Sequence, residues 1–367
     1  MEENFRDLSD ARISELLLQL DEAQRQLIEK ERVICVLRRY QNTSLRYWLG
    51  YRFLRVILNH PALSRPLRYA RRWLPIWDHQ CFDLIQHSPR PLHIPAKYRE
   101  LLGTTATLPT ITLVTPSRNQ AEFIERTLAS VLDQNYPNLE YVVMDGASTD
   151  DTVARVNAHA HRLARFISQA DSGQAQAINR GFQGNTGEIM GWLNSDDILL
   201  PGSLDYVARF FAENPEVDVV YGHRIQIDEQ DREIGRWILP EHDASVLPWA
   251  DYIPQETLFW RRRIWERIGG ALCEDLQFAL DWDLLLRFQA AGANFVRLPR
   301  FLGGFRVHQS QKTSAHLNSI GTLEMSRLRI QYLGRRVSDF EVSRQLAPFR
   351  QRSRQLHWRY RLGILGH

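Results

Sequence analysis

One stretch, Gly187–Leu204 (GEIMGWLNSDDILLPGSL), constrains the fold more than any other. Ile189–Leu193 is a short apolar run, the pattern of a buried strand. It stops at Asn194, Ser195, Asp196 and Asp197, and Pro201 then suits the first turn of a new helix. Two carboxylates and a carboxamide therefore sit where a strand ends. In open α/β sheets, ligands bind just beyond the carboxyl ends of the strands. Hard oxygen ligands at such a place suit Mg2+ or Mn2+ and the diphosphates those ions bring. Taken alone, the same loop serves equally well as a solvated helix cap.

The neighbouring segments repeat the arrangement. Thr110–Thr115 reads as a buried strand followed by Pro116-Ser117-Arg118-Asn119, and a helix follows over about 121–134. Glu140–Met144 is a second strand, ending in Asp145 and the loop DGASTDD. Phe166–Ser168 is a third, ending in Asp171-Ser172-Gly173, and Gln174–Phe182 is helical. Strand–helix alternation with polar clusters at successive strand ends predicts an α/β fold with a parallel sheet and one binding edge. Further on, the pattern predicts a helix over Leu204–Glu213 and a strand over Val217–Tyr221. A hairpin of Arg224–Asp228 with Glu233–Trp237 follows, then a helix over Asp281–Ala291. Phe295–Leu298 is a last strand, and Gly303-Gly304 then precedes Phe305–His308.

Composition excludes several classes. The 367 residues are 44% apolar and 24% charged, which is globular rather than disordered. Three cysteines (Cys35, Cys81, Cys273) have neither paired nor metal-ligand spacing, which fits a reducing compartment. No run reaches the ~18 apolar residues of a membrane span. The acidic start MEENFRDLSD lacks the apolar core of a signal peptide.

The flanks have their own character. Ile13, Leu16, Leu20, Ala23, Leu27, Lys30, Ile34 and Leu37 step by three and four residues, a heptad seam over residues 1–40. It reads as a coiled coil, hence a homodimer, or as one amphipathic helix packed on the main domain. Residues 32–77 lack Asp and Glu and interleave Arg with Tyr, Trp and Phe. That mixture suits a membrane surface, or an acidic protein face, better than nucleic acid, for which no recognition motif surrounds it. Residues 78–108 read as an irregular linker broken by Pro89, Pro91 and Pro95. The tail over 317–367 reads as helical and basic, with no acid after Glu341.

Taken in order, five motifs resemble family 2 glycosyltransferases of the GT-A fold. They are Pro109–Asn119, DGASTDDT at 145–152, DSGQAQAINRG at 171–181, LNSDD at 193–197 and LDWDLLLR at 280–287. The resemblance covers about 109–316 and implies a Rossmann-like, mostly parallel sheet flanked by helices. It implies an inverting, metal-dependent (Mg2+ or Mn2+) hexosyl transfer from a nucleotide-diphosphate sugar, with UDP or dTDP favoured. The implied acceptor is a glycan, lipid-linked given the basic aromatic flanks. The implied setting is surface polysaccharide assembly at the cytoplasmic face of the plasma membrane.

By the same resemblance, Thr115, Pro116 and Ser117 line a nucleobase pocket, Asp145 accepts from the base and Asp171 lies on the nucleoside side. Asp196 takes the metal position of the DXD motif, and His308 a further metal ligand. Asn194 replaces the first Asp of that motif and adds no charge. Asp281 takes the place of the catalytic base. Asp283, two residues on, faces another side of the helix and is the alternative. The competing reading of the whole chain is a catalytically silent nucleotide-binding scaffold. A nucleotidyl-transferase would need a Gly-rich or Lys-bearing phosphate loop, and TPSRNQ offers none.

Overall fold

The computed structural model describes residues 85–98, 108–308 and 320–364. The chain divides into two units, Met1–His79 and Gln80–His367, and the described residues belong to the second. The heptad seam and the Arg-rich stretch of 32–77 lie outside the described residues.

The centre is a ten-stranded sheet. Strands β2 (Ile111–Ser117), β3 (Leu139–Asp145), β4 (Arg165–Ser168) and β5 (Ile189–Trp192) are parallel, in the spatial order β4-β3-β2-β5. Helices α1 (Ile124–Leu132), α2 (Thr152–Ala158) and α3 (Gln174–Phe182) are the crossovers between them. Every residue of β2 and β5 is buried, as a strand covered on both faces must be. Side chains alternate across the sheet: Val114, Met190 and Trp192 enter one core cluster, while Ile111, Leu113 and Ile189 enter another.

Beyond β5 the sheet becomes mixed. β9 (Phe259–Arg261) runs antiparallel to β5 and to β7 (Val219–Ile227). β8 (Glu233–Trp237) closes the expected hairpin with β7. β10 (Phe295–Arg306) runs parallel to β7 and pairs antiparallel with the two-residue β6 (Ile198–Leu199). Helices α4 (Ser203–Glu213), α5 (Arg262–Arg267) and α6 (Leu280–Ala290) complete the layers, with α7 (Thr322–Leu333) and α8 (Asp339–Arg361) in the tail.

Several sequence expectations are corrected. Residues 85–90, expected in an irregular linker, form β1 (Ile85–Arg90), an edge strand antiparallel to β8. Its signal is ionic rather than apolar: His87 and Arg90 both reach the fully buried Glu233, at 3.0 and 2.6 Å. Pro201 does not open a helix. Gly202 caps α4 with φ +69°, and a Cβ there would lie 2.1 Å from the Tyr98 carbonyl oxygen. β7 runs from 219 to 227 without the break expected near 222. β10 likewise runs on to Arg306, where the last strand was expected to end at Leu298. Gly303 permits this, because a Cβ on it would meet Glu256 Cγ at 2.6 Å and the Glu256 carbonyl oxygen at 2.7 Å.

Candidate functional site

The ends of β2, β4 and β5 open into a cleft of about 570 Å³. Pro116, Ser117 and Arg118 form one part of its wall, Asp171 and Gln174 a second, and Asn194–Asp197 a third. The far wall comes from the mixed half of the sheet and beyond: Arg224, Asp251, Gln255, Glu256, Asp281 and Phe305. The cleft therefore spans the junction where the sheet changes from parallel to antiparallel pairing.

The Asn194–Asp197 loop is held from behind. Thr127 Oγ1 of α1 donates to the carbonyls of Ser195 and Asp197 at 2.9 and 2.7 Å. The fully buried Arg306 donates its backbone N–H to Asp197 Oδ1 at 2.9 Å and its Nε–H to the Asp196 carbonyl at 2.7 Å. Asp197 is buried and supports the loop from within. Burial first, then the Asp196 and Glu256 charges, push its carboxyl well above the usual range. Asp196 is more open, and its Oδ2 lies 3.1 Å from Nε2 of the buried His308. The Phe123 ring packs against that imidazole, centroid to centroid 4.7 Å. Asn194 is committed to protein partners: its Oδ1 accepts from Gln174 Nε2 at 2.7 Å and its Nδ2 faces Asp197 Oδ2 at 3.4 Å.

The nucleobase residues separate. Pro116 and Ser117 line the cleft, and the sealed Ser117 Oγ has no hydrogen-bond partner. Thr115 is fully buried, its hydroxyl 2.9 Å from the Tyr141 hydroxyl, and does not line the cleft. Asp145 is also buried. It accepts from the Ser148 N–H at 2.9 Å, from the Ser148 hydroxyl and from Ser168 Oγ at 2.6 Å. It thus closes an Asx-turn one layer behind the wall. Asp171 does face the cleft and caps the Gly173 N–H at 3.0 Å.

At the other end, α6 presents Asp281 to the cleft. Asp283 turns away, buried and bonded to Arg287 Nε at 2.8 Å. Trp192, Trp260 and Trp282 are all core. Two features here escaped the sequence reading. Arg224 is clamped by both oxygens of the buried Glu256, at 2.7 and 2.6 Å, with its guanidinium 4.3 Å from the Phe305 ring centroid. Asp251 lines the cleft near Asp281. Arg224 follows the apolar run Val217–Tyr221 but is neither acid nor amide, and Asp251 follows neither a strand run nor a helix cap, so neither joins the pattern of polar strand ends.

Charge is lopsided in this space. Six carboxyl groups (Asp171, Asp196, Asp197, Asp251, Glu256, Asp281) face it against the two guanidiniums of Arg118 and Arg224. A diphosphate would meet net repulsion unless a cation entered with it. Among the described residues no three His, Cys, Asp or Glu side chains form a metal cage. The Asp196–His308 pair nonetheless fits a divalent ion that takes its remaining ligands from phosphate oxygens, as such ions commonly do in phosphate-handling enzymes. The imidazole favours Mn2+ over Mg2+.

Residues 112–291 match the family model described as glycosyl transferase family 2. The chain is 31% identical over 198 residues to the O-antigen biosynthesis protein RfbC of Myxococcus xanthus, covering 53% of this chain and 15% of that one. It is also 31% identical over 185 residues to a PGL/p-HBAD biosynthesis glycosyltransferase of Mycobacterium bovis, covering 49% of this chain and 69% of the relative. The chain thus spans under two thirds of the first relatives it matches, 15% of RfbC and 52% of a Nostoc glycosyltransferase. Among solved structures, S. aureus TarS 1-349 in complex with UDP-GlcNAc superposes with TM-score 0.53 at 19% identity, over 66% of this chain and 72% of that 1-349 chain. Mannosyltransferase PcManGT from Pyrobaculum calidifontis, in complex with GDP-Man and Mn2+, gives 0.50 at 20% identity, over 81% and 80%.

Proposed function

From the premise that this chain belongs to glycosyl transferase family 2 and has its GT-A fold, we propose that it transfers one sugar, with inversion, from a nucleotide-diphosphate sugar to a hydroxyl of a glycan acceptor. The acceptor is lipid-linked and the product enters a surface polysaccharide. The observation that supports this reading is the cleft itself, which is lined by Asp196, Asp281, Pro116 and Ser117, with the buried His308 behind Asp196 at 3.1 Å. The names of the relatives, O-antigen and PGL/p-HBAD biosynthesis, support the acceptor class.

In this reading the nucleotide lies along Pro116, Ser117 and Asp171. Asp196 and His308 would hold a divalent ion. When bound, that ion supplies positive charge against the diphosphate as it leaves. Asp281 accepts the proton of the acceptor hydroxyl, a step worth typically ~10²–10⁴-fold. That oxygen bonds to the anomeric carbon as the carbon–phosphate oxygen bond breaks on the opposite face. Arg306 and Thr127 keep the Asp196 loop in place. Thr115 and Asp145 act behind the wall, by shaping the two strand ends.

The test is nucleotide-diphosphate release from a panel of nucleotide-sugars, with Mn2+ or Mg2+ and a membrane lipid extract as acceptor. Release is expected to stop with EDTA, to return with Mn2+, and to fall at least ~10²-fold in Asp281→Asn. Nucleotide binding without turnover across the panel would instead favour the silent scaffold.

A further inference from the structure

Asp251 sits near two charges, Arg224 and Asp281, and neither satisfies it. It lines the cleft, half-buried, in the loop that leads into the turn Gln255–Thr257. Its Oδ1 is sealed from solvent and has no hydrogen-bond partner. The nearby cation, Arg224, is already held by both oxygens of Glu256. Asp281, on α6, faces it with like charge. The Ile253 N–H is the remaining group that favours its ionised form. Among the described residues no ion pair reaches Asp251. An ionised carboxylate so placed would carry an uncompensated charge, whereas a protonated one loses only a hydrogen-bond partner.

We propose that Asp251 is a proton-bearing carboxyl set against Asp281, and that it donates a hydrogen bond to a ring or hydroxyl oxygen of the sugar bound at that end of the cleft. Gln255 lies in the same wall, with its Nε2 committed to the Trp192 carbonyl at 2.8 Å and its sealed Oε1 unpartnered. Gln255 is thus fixed within the wall, and Asp251 supplies the donor that faces the sugar. Asp251 keeps its proton through the reaction, and the acceptor's proton goes to Asp281. Burial, followed by the Asp281 charge, pushes the Asp251 carboxyl well above the usual range, in agreement with this assignment. The sugar identity rests on the transferase reading; the protonation does not.

Two measurements separate these parts. The full chain labelled with 13C at the aspartate carboxyl carbons is titrated by NMR from pH 4 to 9, without any ligand. The resonance missing from Asp251→Asn should titrate far above the ~3.9 of a free aspartate. In Asp281→Asn, where Asp251 is intact, that midpoint should move down. A resonance fully ionised by pH 5 would overturn the proposal, whatever the enzyme assay shows. If Asp251→Asn does not fold, the resonance that moves down in Asp281→Asn decides the same point. The second measurement uses the donor panel and lipid extract named above. Asp251→Ala should raise the acceptor KM about tenfold, the effect of one unmade buried hydrogen bond. Asp251→Asn, which keeps a donor in place, should recover most of that loss and lack the fall in rate at high pH. Equal losses in Asn and Ala variants would overturn the donor role. A panel silent with wild type would count against the transferase reading and leave the titration to decide Asp251.

Discussion

Asp281 and Asp283 show how two identical side chains, two positions apart, receive different duties from helix geometry alone. Asp281 faces the cleft, while Asp283 is buried against Arg287 and bonded to it at 2.8 Å. Replacing Asp283 with Asn should therefore lower stability by about 1–3 kcal/mol, the range for a charged hydrogen bond. Its kcat should remain near wild type, read by denaturant unfolding beside the release assay. Spacing alone foresaw that only one of the two would enter the cleft. Asp196, Asp171, Pro116 and Ser117 were legible for a related reason: each follows a strand whose apolar run is visible in the chain. Thr115 and Asp145 share that signal yet stop short of the cleft: Thr115 lies two residues back from the strand end, bonded to Tyr141, and Asp145 is held by Ser148 and Ser168. Arg224 and Asp251 were not legible, since each owes its position to segments far away in sequence.

At the scale of elements, the parallel half of the sheet reads directly from the sequence and the mixed half does not. β2, β3, β4 and β5 announce themselves by apolar runs closed by polar loops. β1 and the full length of β10 depend on partners no local pattern reveals, Glu233 for the first and the close approach of Glu256 to Gly303 for the second. Glu233 is fully buried and joined to His87, Arg90 and Arg236, which hold its carboxyl below the usual range against the burial that raises it. Glu233→Gln leaves those cations unpaired, so a loss of about 3–5 kcal/mol is expected. Hydrogen exchange should show the β1 amides opening first. α8 is tied to the same region by His357, whose Nε2 accepts from the Ile238 N–H at 3.3 Å.

Two histidines, His357 buried and His242 half-buried, make this half acid-sensitive. Burial lowers His357 and His242 from 6.5 to about 4. The unfolded chain protonates both as pH falls through 6.5, whereas the folded protein waits until about 4. Their stabilisation is thus complete above 6.5 and is lost between 6.5 and 4, at most about 3 kcal/mol for each. Melting temperature should fall across that window, and His242→Phe, which keeps the stack on Phe295, should flatten part of the slope.

For the whole molecule, the parallel half supplies one wall of the cleft and the mixed half the other. Pro116, Ser117 and Asp171 come from the first, Arg224, Asp251 and Asp281 from the second. No helix of the described residues is long and apolar enough to cross a membrane. Arg236 is the point where distant parts of the chain meet: it reaches Glu233 beside Arg90 of β1, the His93 carbonyl, and the Tyr360 hydroxyl of α8. Segments near residues 90, 236 and 360 are thus fastened in one place. During synthesis the first of these must wait for the last, about 270 residues later. Until α8 has been made, Arg236 lacks the Tyr360 hydroxyl, and the junction of β1, β8 and α8 stays incomplete. Completion of this junction therefore waits on α8, long after the early βαβ core has been made.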